Sequence, residues 1–126
     1  IMEKSNYKIL IVEDDLNTQE MYKIKFLKEW FDVLTSNNWL DSLTKLSDFK
    51  PDIILLDIMM PSMDWFETLR AIKELTTTIN SKIIICSNLN DKKNILKWFE
   101  IWADDYVFKA NITPGDLYLR VMKLLW

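Results

Sequence analysis

Acidic side chains follow two apolar runs of the 126-residue chain. Glu13, Asp14 and Asp15 come directly after the run 9–12, and Asp57 comes directly after the run 53–56. Carboxylates that crowd together repel one another unless a cation neutralises them. Ligands that are all oxygen suit Mg²⁺, which binds proteins through one or two carboxylates together with phosphate. The spacing therefore indicates a magnesium site, provided that the fold brings the two runs together.

A hydroxyl and an ammonium follow two later runs. Ser87 comes directly after the run 83–86, and Lys109 follows the segment 105–108. A cation, a hydroxyl and an ammonium around one carboxylate would neutralise a phosphoryl group on that carboxylate and donate hydrogen bonds to its oxygens. On this interpretation Asp57 is a nucleophile that forms an aspartyl phosphate.

The composition excludes other chemistries. Histidine is absent, so the chain alone offers no histidine base, nucleophilic dyad or metal ligand. Its one cysteine, Cys86, excludes an internal disulfide, is typical of a reducing compartment and is expected to be inert core packing. The net charge is −3, and the 16 basic residues are scattered, which argues against direct nucleic-acid binding. No apolar run reaches the roughly 18 residues of a membrane span, so we expect a cytoplasmic protein with no membrane contact.

Unbroken apolar runs and helical periodicity alternate along the chain. Continuous β-branched runs are typical of strands that are covered on both faces. Two weaker segments complete a set of five predicted strands, at 9–12, 31–35, 53–56, 83–86 and 105–108. Predicted helices lie at 16–29, around 40–46, and at 67–75, 92–101 and 114–125.

Individual residues define these helices. In the first helix the residues placed on successive turns are Met21, Ile24, Lys25, Leu27 and Lys28. In the second helix, Leu40, Leu43 and Leu46 form a stripe. Thr113 followed by Pro114 is a typical helix entry, with a capping hydroxyl and proline in the first turn.

Five strand–helix units predict an α/β domain with a doubly wound, five-stranded parallel sheet and helices on both faces. In such a sheet, ligands bind at the carboxyl ends of the strands, beside the point where the strand order reverses. The first and third strands flank that point. The acids at 13–15 and Asp57 should therefore converge there.

Four segments together carry a resemblance to a known family. They are ILIVEDD at 9–15, DIILLDIMMPSMD at 52–64, Ser87, and ADDYVFK at 103–109. In this order and spacing, the chain resembles the receiver domain of bacterial two-component response regulators, the CheY-like superfamily. The resemblance implies a flavodoxin-like fold with strand order 2-1-3-4-5. It covers one domain over 1–126, of which 1–6 are interpreted as a tag remnant or disordered N-terminus.

The same resemblance implies a role for each matching residue. Asp57 corresponds to the phosphoacceptor, Glu13 and Asp14 to the acidic pair that binds Mg²⁺ with Asp57, and Met59 to the position whose backbone carbonyl completes the metal site. Lys109 corresponds to the lysine that pairs with the phosphate.

The resemblance also implies a switch and partners. Ser87 corresponds to the catalytic switch hydroxyl, and Tyr106 to the aromatic that changes rotamer. The phosphate donor would be a sensor histidine kinase or a phosphotransfer protein, which would supply the histidine that this chain lacks. The face formed by the fourth helix, fifth strand and fifth helix, roughly 91–125, would carry the output and could form a homodimer. Such a domain is not a turnover enzyme and at most catalyses its own phosphorylation and dephosphorylation.

Two departures lie close to the implied site. Ala110 follows Lys109 where the family usually has a proline after a cis peptide bond, and a cis bond before alanine would cost about 2.5 to 4 kcal/mol. Either the site tolerates that strain, or the bond is trans and Lys109 is placed differently. Asn88 stands after Ser87 where the family has a small residue, and we hypothesise that its bulk slows the access of water to the phosphoryl group.

Tryptophan and glycine contents form a third departure. The chain has one glycine where average usage of about 7% predicts about nine, and it has six tryptophans. Trp30, Trp39, Trp65 and Trp102 stand where receivers commonly have glycine, so strain or outward displacement is expected there. We hypothesise that all six, including Trp98 and Trp126, are glycines encoded by UGA and read as tryptophan; six UGG codons in the native gene would refute this. The alternative is a lineage with surface aromatics that form a partner interface.

Two other functions stay open. A pseudo-receiver would act as an interaction module without phosphorylation, for which Ala110 and the tryptophans leave room. A small Mg²⁺-dependent phosphatase is disfavoured because Met59 stands where such enzymes place a second catalytic aspartate.

Overall fold

Five parallel strands form one sheet in the computed structural model of the chain, which describes residues 6–60, 64–75, 80–88 and 103–126. At 65, 66, 68 and 69 only the backbone is described. The elements are β1 Lys8–Val12, α1 Leu16–Lys28, β2 Asp32–Ser36, α2 Trp39–Phe49, β3 Ile53–Leu56, α3 Trp65–Glu74, β4 Lys82–Ser87, β5 Asp105–Phe108, a 3₁₀ turn Lys109–Asn111 and α4 Pro114–Leu125. The predicted helix 92–101, part of the motif at 52–64, and both Trp98 and Trp102 lie outside the described residues.

The sheet has the order β2-β1-β3-β4-β5, which confirms the predicted doubly wound topology. Val12 lies opposite Ser36 on one side and Leu56 on the other. Leu56 in turn lies opposite Ile85. The carboxyl ends of β1, β3 and β4 therefore lie side by side at one edge, where the predicted site residues follow them.

Alternate residues of each strand enter two separate core clusters, one on each face of the sheet. Ile9 and Ile11 of β1 pack with Phe26 and the C-terminal helix α4. Leu10 and Val12 pack on the opposite face with residues of α2 and α3. Because successive side chains of a strand point to opposite faces, a strand covered on both sides must be apolar at every position. This explains the unbroken runs in the sequence.

The apolar stripe predicted for the first helix is wrong about its buried face. Met21, Ile24 and Leu27 are 44%, 46% and 50% exposed, whereas Tyr22 and Phe26 are buried. Two aromatic side chains four residues apart bury more apolar area than the aliphatic side chains beside them. They therefore take the core face.

The stripe predicted for the second helix is correct in part. Leu46 is fully buried, Leu43 is half-buried, and Leu40 at the start of α2 is 74% exposed. The predicted entry of the last helix is confirmed, because Thr113 Oγ1 accepts a hydrogen bond from Asp116 N–H and Pro114 lies in the first turn.

Helix α1 ends in a Schellman motif with Trp30 at its left-handed position. Phe31 N–H donates to the carbonyl of Phe26 at 3.0 Å, and Trp30 N–H donates to that of Leu27 at 3.1 Å. The rings of Phe26 and Phe31 make the apolar contact that accompanies this motif, with centroids 5.1 Å apart. Trp30 has φ 67° and is 58% exposed. Glycine is the residue that this position favours.

Trp39 differs from Trp30. It is the first residue of α2, after the capping side chain of Asn38, and it packs partly buried against the second core cluster. Trp65 likewise begins α3. Among the described tryptophans, the expectation of strain is met at Trp30 alone. Within the described ranges, no helix has the length and apolar character to cross a membrane.

Candidate functional site

Three carboxylates gather at the carboxyl ends of β1 and β3. Asp57 N–H donates to the carbonyl of Val12 at 3.0 Å, so the chain leaving β3 is held against the end of β1. Glu13 and Asp57 are 2% and 5% exposed, and Asp14 is exposed. One oxygen from each of Glu13, Asp14 and Asp57 lies within 4.8 Å of the other two. The predicted convergence is met by these three acids but not by Asp15, and the three-carboxylate donor set fits a hard divalent cation such as Mg²⁺.

Lys109 lies between the two buried carboxylates. Its Nζ donates to Asp57 Oδ2 at 2.9 Å and also donates to Glu13 Oε1. The lysine follows β5 directly, and its side chain is 17% exposed. The ammonium that follows β5 therefore forms ion pairs with the acids that follow β1 and β3.

Burial and this ion-pair network set the charges of the site. Burial, reinforced by a hydrogen bond to Asp57, raises the pKa of Glu13 to about 7. Burial works against ionisation of Asp57 too, but hydrogen bonds with Glu13, Lys109 and the backbone of Met59 hold the pKa of Asp57 below its ordinary value. Glu13 is thus the member of the pair that takes up a proton more readily.

The peptide after Asp57 turns back towards it. Met59 N–H donates to Asp57 Oδ1 at 2.9 Å, while the Met59 side chain is 52% exposed. The two oxygens of Asp57 therefore have different partners, an amide on one and an ammonium on the other. The role of the Met59 carbonyl as a metal ligand stays a prediction.

Two residues of α1 and its approach hold the acidic loop. Gln19 Nε2 donates to the carbonyl of Glu13 at 2.9 Å and to that of Ser36 at 3.3 Å, which ties the ends of β1 and β2 to the helix. Asp15 caps α1, because its Oδ2 accepts a hydrogen bond from Thr18 N–H at 3.1 Å. Asp15 is therefore a cap and not the fourth member of the acidic group. Sequence reasoning missed Gln19, since no spacing rule distinguishes it from the other polar residues of α1.

The two predicted switch residues lie on neighbouring strands. Ser87 is the last residue of β4 and is fully buried. It lies opposite Phe108 of β5, the residue directly before Lys109. Tyr106 lies opposite Ile85, half-buried against the second core cluster. Their switching roles stay predictions.

A small cavity lies beneath the acids. It measures about 10 Å³ and is lined by Glu13, Asp57, Tyr22 and Cys86 among others. Tyr22 Oη lies 3.5 Å from Cys86 Sγ, and burial raises the pKa of that thiol to about 11. Cys86 is a protonated, buried side chain, in keeping with the packing role expected from the sequence.

The peptide bond between Lys109 and Ala110 lies in the 3₁₀ turn that follows β5. Every peptide bond in the described residues is trans, including that between Lys109 and Ala110. The trans bond agrees with the second predicted alternative, and with this trans bond the lysine reaches Asp57. Ala110 N–H donates to Asn88 Oδ1 at 2.8 Å, a contact that sequence reasoning did not foresee.

Comparison with known proteins agrees with this geometry. The family model described as the response regulator receiver domain matches residues 9–121. The phosphate regulon transcriptional regulatory protein PhoB of Pseudomonas aeruginosa is 31% identical over 93% of this chain and 51% of its own length. The transcriptional regulatory protein ResD of Bacillus subtilis is 31% identical over 94% of this chain and 48% of its own length.

Solved structures show the same fold. The BeF3-activated receiver domain of DrrB has a TM-score of 0.82 and 33% identity, covering 96% of this chain and 98% of that one. A two-component response regulator from Clostridium difficile has a TM-score of 0.86 with 24% identity, covering 95% and 96%, which bears on the fold alone.

A doubly wound parallel sheet with three acids and a lysine at its switch point defines the class of protein, and the chain belongs to the family of response regulator receiver domains of two-component systems. The chain spans about half the length of the curated bacterial relatives that it matches.

Proposed function

We propose that this chain accepts a phosphoryl group on Asp57 in a Mg²⁺-dependent reaction and relays that event to its output face. The observation that carries the proposal is the contact of 2.9 Å between Lys109 Nζ and Asp57 Oδ2 inside a cluster of three carboxylates. A lone buried pair would be structural. A pair with two further acids at the carboxyl ends of the strands leaves net negative charge, which a divalent cation would neutralise while also binding the phosphoryl oxygens.

The chemistry assigned to each residue follows from its contacts. Asp57 Oδ2 faces the ammonium, whereas Oδ1 is held by Met59 N–H, so the carboxylate is oriented before any donor arrives. Attack of a carboxylate oxygen on phosphorus forms an O–P bond and breaks the P–N bond of a phosphohistidine, whose imidazole leaves with the electron pair. Lys109 then pairs with the phosphoryl oxygens. Mg²⁺ held by Glu13, Asp14, Asp57 and the Met59 carbonyl would supply the remaining charge neutralisation.

The direction of the relay is also part of the proposal. Ser87 is fully buried at the end of β4, the strand next to β3, and Tyr106 lies on β5, the strand beyond. A hydroxyl drawn towards a new phosphoryl group would vacate space that Tyr106 can enter. The donor is a sensor histidine kinase or phosphotransfer protein, and the reaction is placed in the cytoplasm, where a buried free thiol such as Cys86 stays reduced.

Phosphorylation is tested by intact mass. Protein incubated with Mg²⁺ and acetyl phosphate should gain about 80 Da, the mass of one phosphoryl group. Asp57→Asn should gain nothing, and Asp48→Asn, an exposed aspartate of α2, should behave as the unaltered chain. A chain that gains no mass is a pseudo-receiver, and steady release of phosphate from an ester would identify a phosphatase.

A homodimer through the output face is a second proposal. A groove of about 440 Å³ lies between β5 and α4, lined by Tyr106, Phe108, Ile112 and Leu119 among others. Leu119 is 64% exposed, and Arg120 beside it holds Asp105 through two hydrogen bonds of 2.5 and 2.7 Å. Light scattering with beryllofluoride and Mg²⁺ should give twice the monomer mass, and Leu119→Lys should restore the monomer. An unaltered chain that stays monomeric with beryllofluoride and Mg²⁺, as it does without them, would refute the dimer.

A further inference from the structure

Asn88 and Ala110 join two segments that each carry a residue of the candidate site. Asn88 directly follows Ser87 at the end of β4, and Ala110 directly follows Lys109 at the end of β5. Ala110 N–H donates to Asn88 Oδ1 at 2.8 Å across 22 residues of sequence. A proline at 110 would have no such donor, and a small apolar residue at 88 would have no acceptor. The two departures from the family pattern are therefore the two halves of one hydrogen bond.

The turn that carries Lys109 follows β5 directly and has no side-chain cap at its start. Lys109–Asn111 is a single 3₁₀ turn, and Phe108 before it provides no side-chain cap. The first N–H groups of such a turn have no partner within it. Asn88, the residue after β4, supplies the acceptor for one of them. Its own backbone is anchored, because Ser87 is in register with Phe108 in the sheet.

We propose that Asn88 is a positioning residue that acts through Ala110 to keep the ammonium of Lys109 on Asp57. Lys109 has four rotatable side-chain bonds, so a fixed backbone at the turn increases the fraction of conformations in which its ammonium lies 2.9 Å from Asp57 Oδ2. The hydrogen bond at Ala110 holds that backbone one residue away. It also makes the segment after Ser87 and the segment of Lys109 move together, which couples the two donors of the proposed phosphoryl site.

This inference rests on the proposed function for its effect on rate, but the hydrogen bond itself can be tested without phosphorylation. Asn88→Leu removes the acceptor and keeps the bulk of the side chain, Asn88→Ala removes both, and Ala110→Pro removes the donor. Asn6→Leu, an exposed asparagine at the opposite edge of the sheet, is the matched control. Folding of every variant is checked by circular dichroism.

The first measurement is the initial rate of phosphorylation by acetyl phosphate. Loss of one hydrogen bond corresponds to about a three- to tenfold lower rate in Asn88→Leu and in Asn88→Ala alike. In an Ala110→Pro or Lys109→Met background, Asn88→Leu should have no further effect, because the link is already broken or has nothing to position. Wild-type rates in Asn88→Leu, or full additivity with Ala110→Pro, would overturn the proposal. If the bulk of Asn88 alone slows dephosphorylation, Asn88→Ala should dephosphorylate faster than the unaltered chain, whereas Asn88→Leu should not.

The second measurement needs no phosphorylation and separates the two failures. Competitive labelling of amines with acetic anhydride reports how accessible the Lys109 ammonium is, with Lys25 as an internal reference. Asn88→Leu should raise labelling of Lys109 severalfold and leave Lys25 unchanged. If the unaltered chain is not phosphorylated but this shift occurs, the proposed function fails and the positioning role stands. Unchanged labelling of Lys109 refutes the positioning role whatever the chain does with acetyl phosphate.

Discussion

Lys109 Nζ lies 2.9 Å from Asp57 Oδ2 and donates to Glu13 as well, so one ammonium is shared by two buried carboxylates. Removing a shared cation leaves two anions with little solvent, which is more costly than breaking an exposed ion pair. Lys109 is therefore a counter-ion that the chain itself supplies to the acidic site. Its first consequence concerns stability.

Lys109→Met should lower the free energy of unfolding by about 1 to 3 kcal/mol in metal-free buffer at pH 8, since a buried pair loses one partner and Glu13 can only partly compensate by protonation. Added Mg²⁺ should raise the Tm of this variant more than that of the unaltered chain. Urea unfolding with and without Mg²⁺ measures both effects. Lys82→Met, which removes an exposed lysine of β4, is the control, and equal losses in the two variants would contradict the prediction.

Glu13 should make stability depend on pH in a specific direction. Burial raises its pKa from 4.5 to about 7 in the folded state, so the folded state binds this proton more tightly than the unfolded state. The stabilising contribution is complete below pH 4.5 and is lost as the pH rises through about 7. Without Mg²⁺, the unfolding free energy of the unaltered chain relative to Glu13→Gln should therefore fall between about pH 5 and 8. A difference that stays constant would argue against a buried proton at Glu13, and Glu20→Gln serves as the exposed control.

Trp30→Gly should stabilise the chain. A left-handed conformation costs a non-glycine residue roughly 1 to 2 kcal/mol. Glycine also makes the unfolded chain more flexible, which offsets part of this gain, so the free energy of unfolding should rise by about 1 kcal/mol. Trp30→Ala keeps the Cβ atom and should not give this gain. Thermal unfolding of the two variants provides the measurement. A destabilised Trp30→Gly would show that the indole makes contacts worth more than the strain.

Cys86 should resist thiol reagents in the native state. It is 3% exposed, and burial raises the pKa of its thiol to about 11, so little thiolate exists at pH 8 and it is not accessible. The rate of reaction with dithionitrobenzoate should follow the rate of unfolding and rise sharply in urea. Fast reaction in native buffer would mean that the cavity under the acids opens to solvent.

Strand-end chemistry could be predicted from the sequence because parallel topology fixes it. Once the runs before Glu13 and Asp57 are assigned to adjacent strands, their convergence follows from geometry alone. The same reasoning placed Ser87 and Lys109 at the correct strand ends. The sheet order needed the family resemblance in addition.

Details that depend on competition between similar side chains could not be predicted. Met21 and Tyr22 are both large and apolar, and periodicity does not say which face a helix turns to the sheet. The partners of Asn88 and Gln19 are set by loops whose conformation no local rule specifies. The sequence singled out Trp30, Trp39 and Trp65 alike, because each stands where receivers commonly have glycine. Only the backbone shows that Trp30 has a left-handed conformation and that Trp39 and Trp65 do not.

The sheet separates two cores that share no side chain, because each residue of a central strand enters one cluster only. Substitutions on opposite faces, such as at Phe26 and Leu46, should therefore change stability additively. A chain built this way can vary in two independent compartments. Residues of α1 and α4 can change during evolution while the layer of α2 and α3 is preserved. The carboxylates of the site belong to neither cluster, so substitutions in either layer leave them in place.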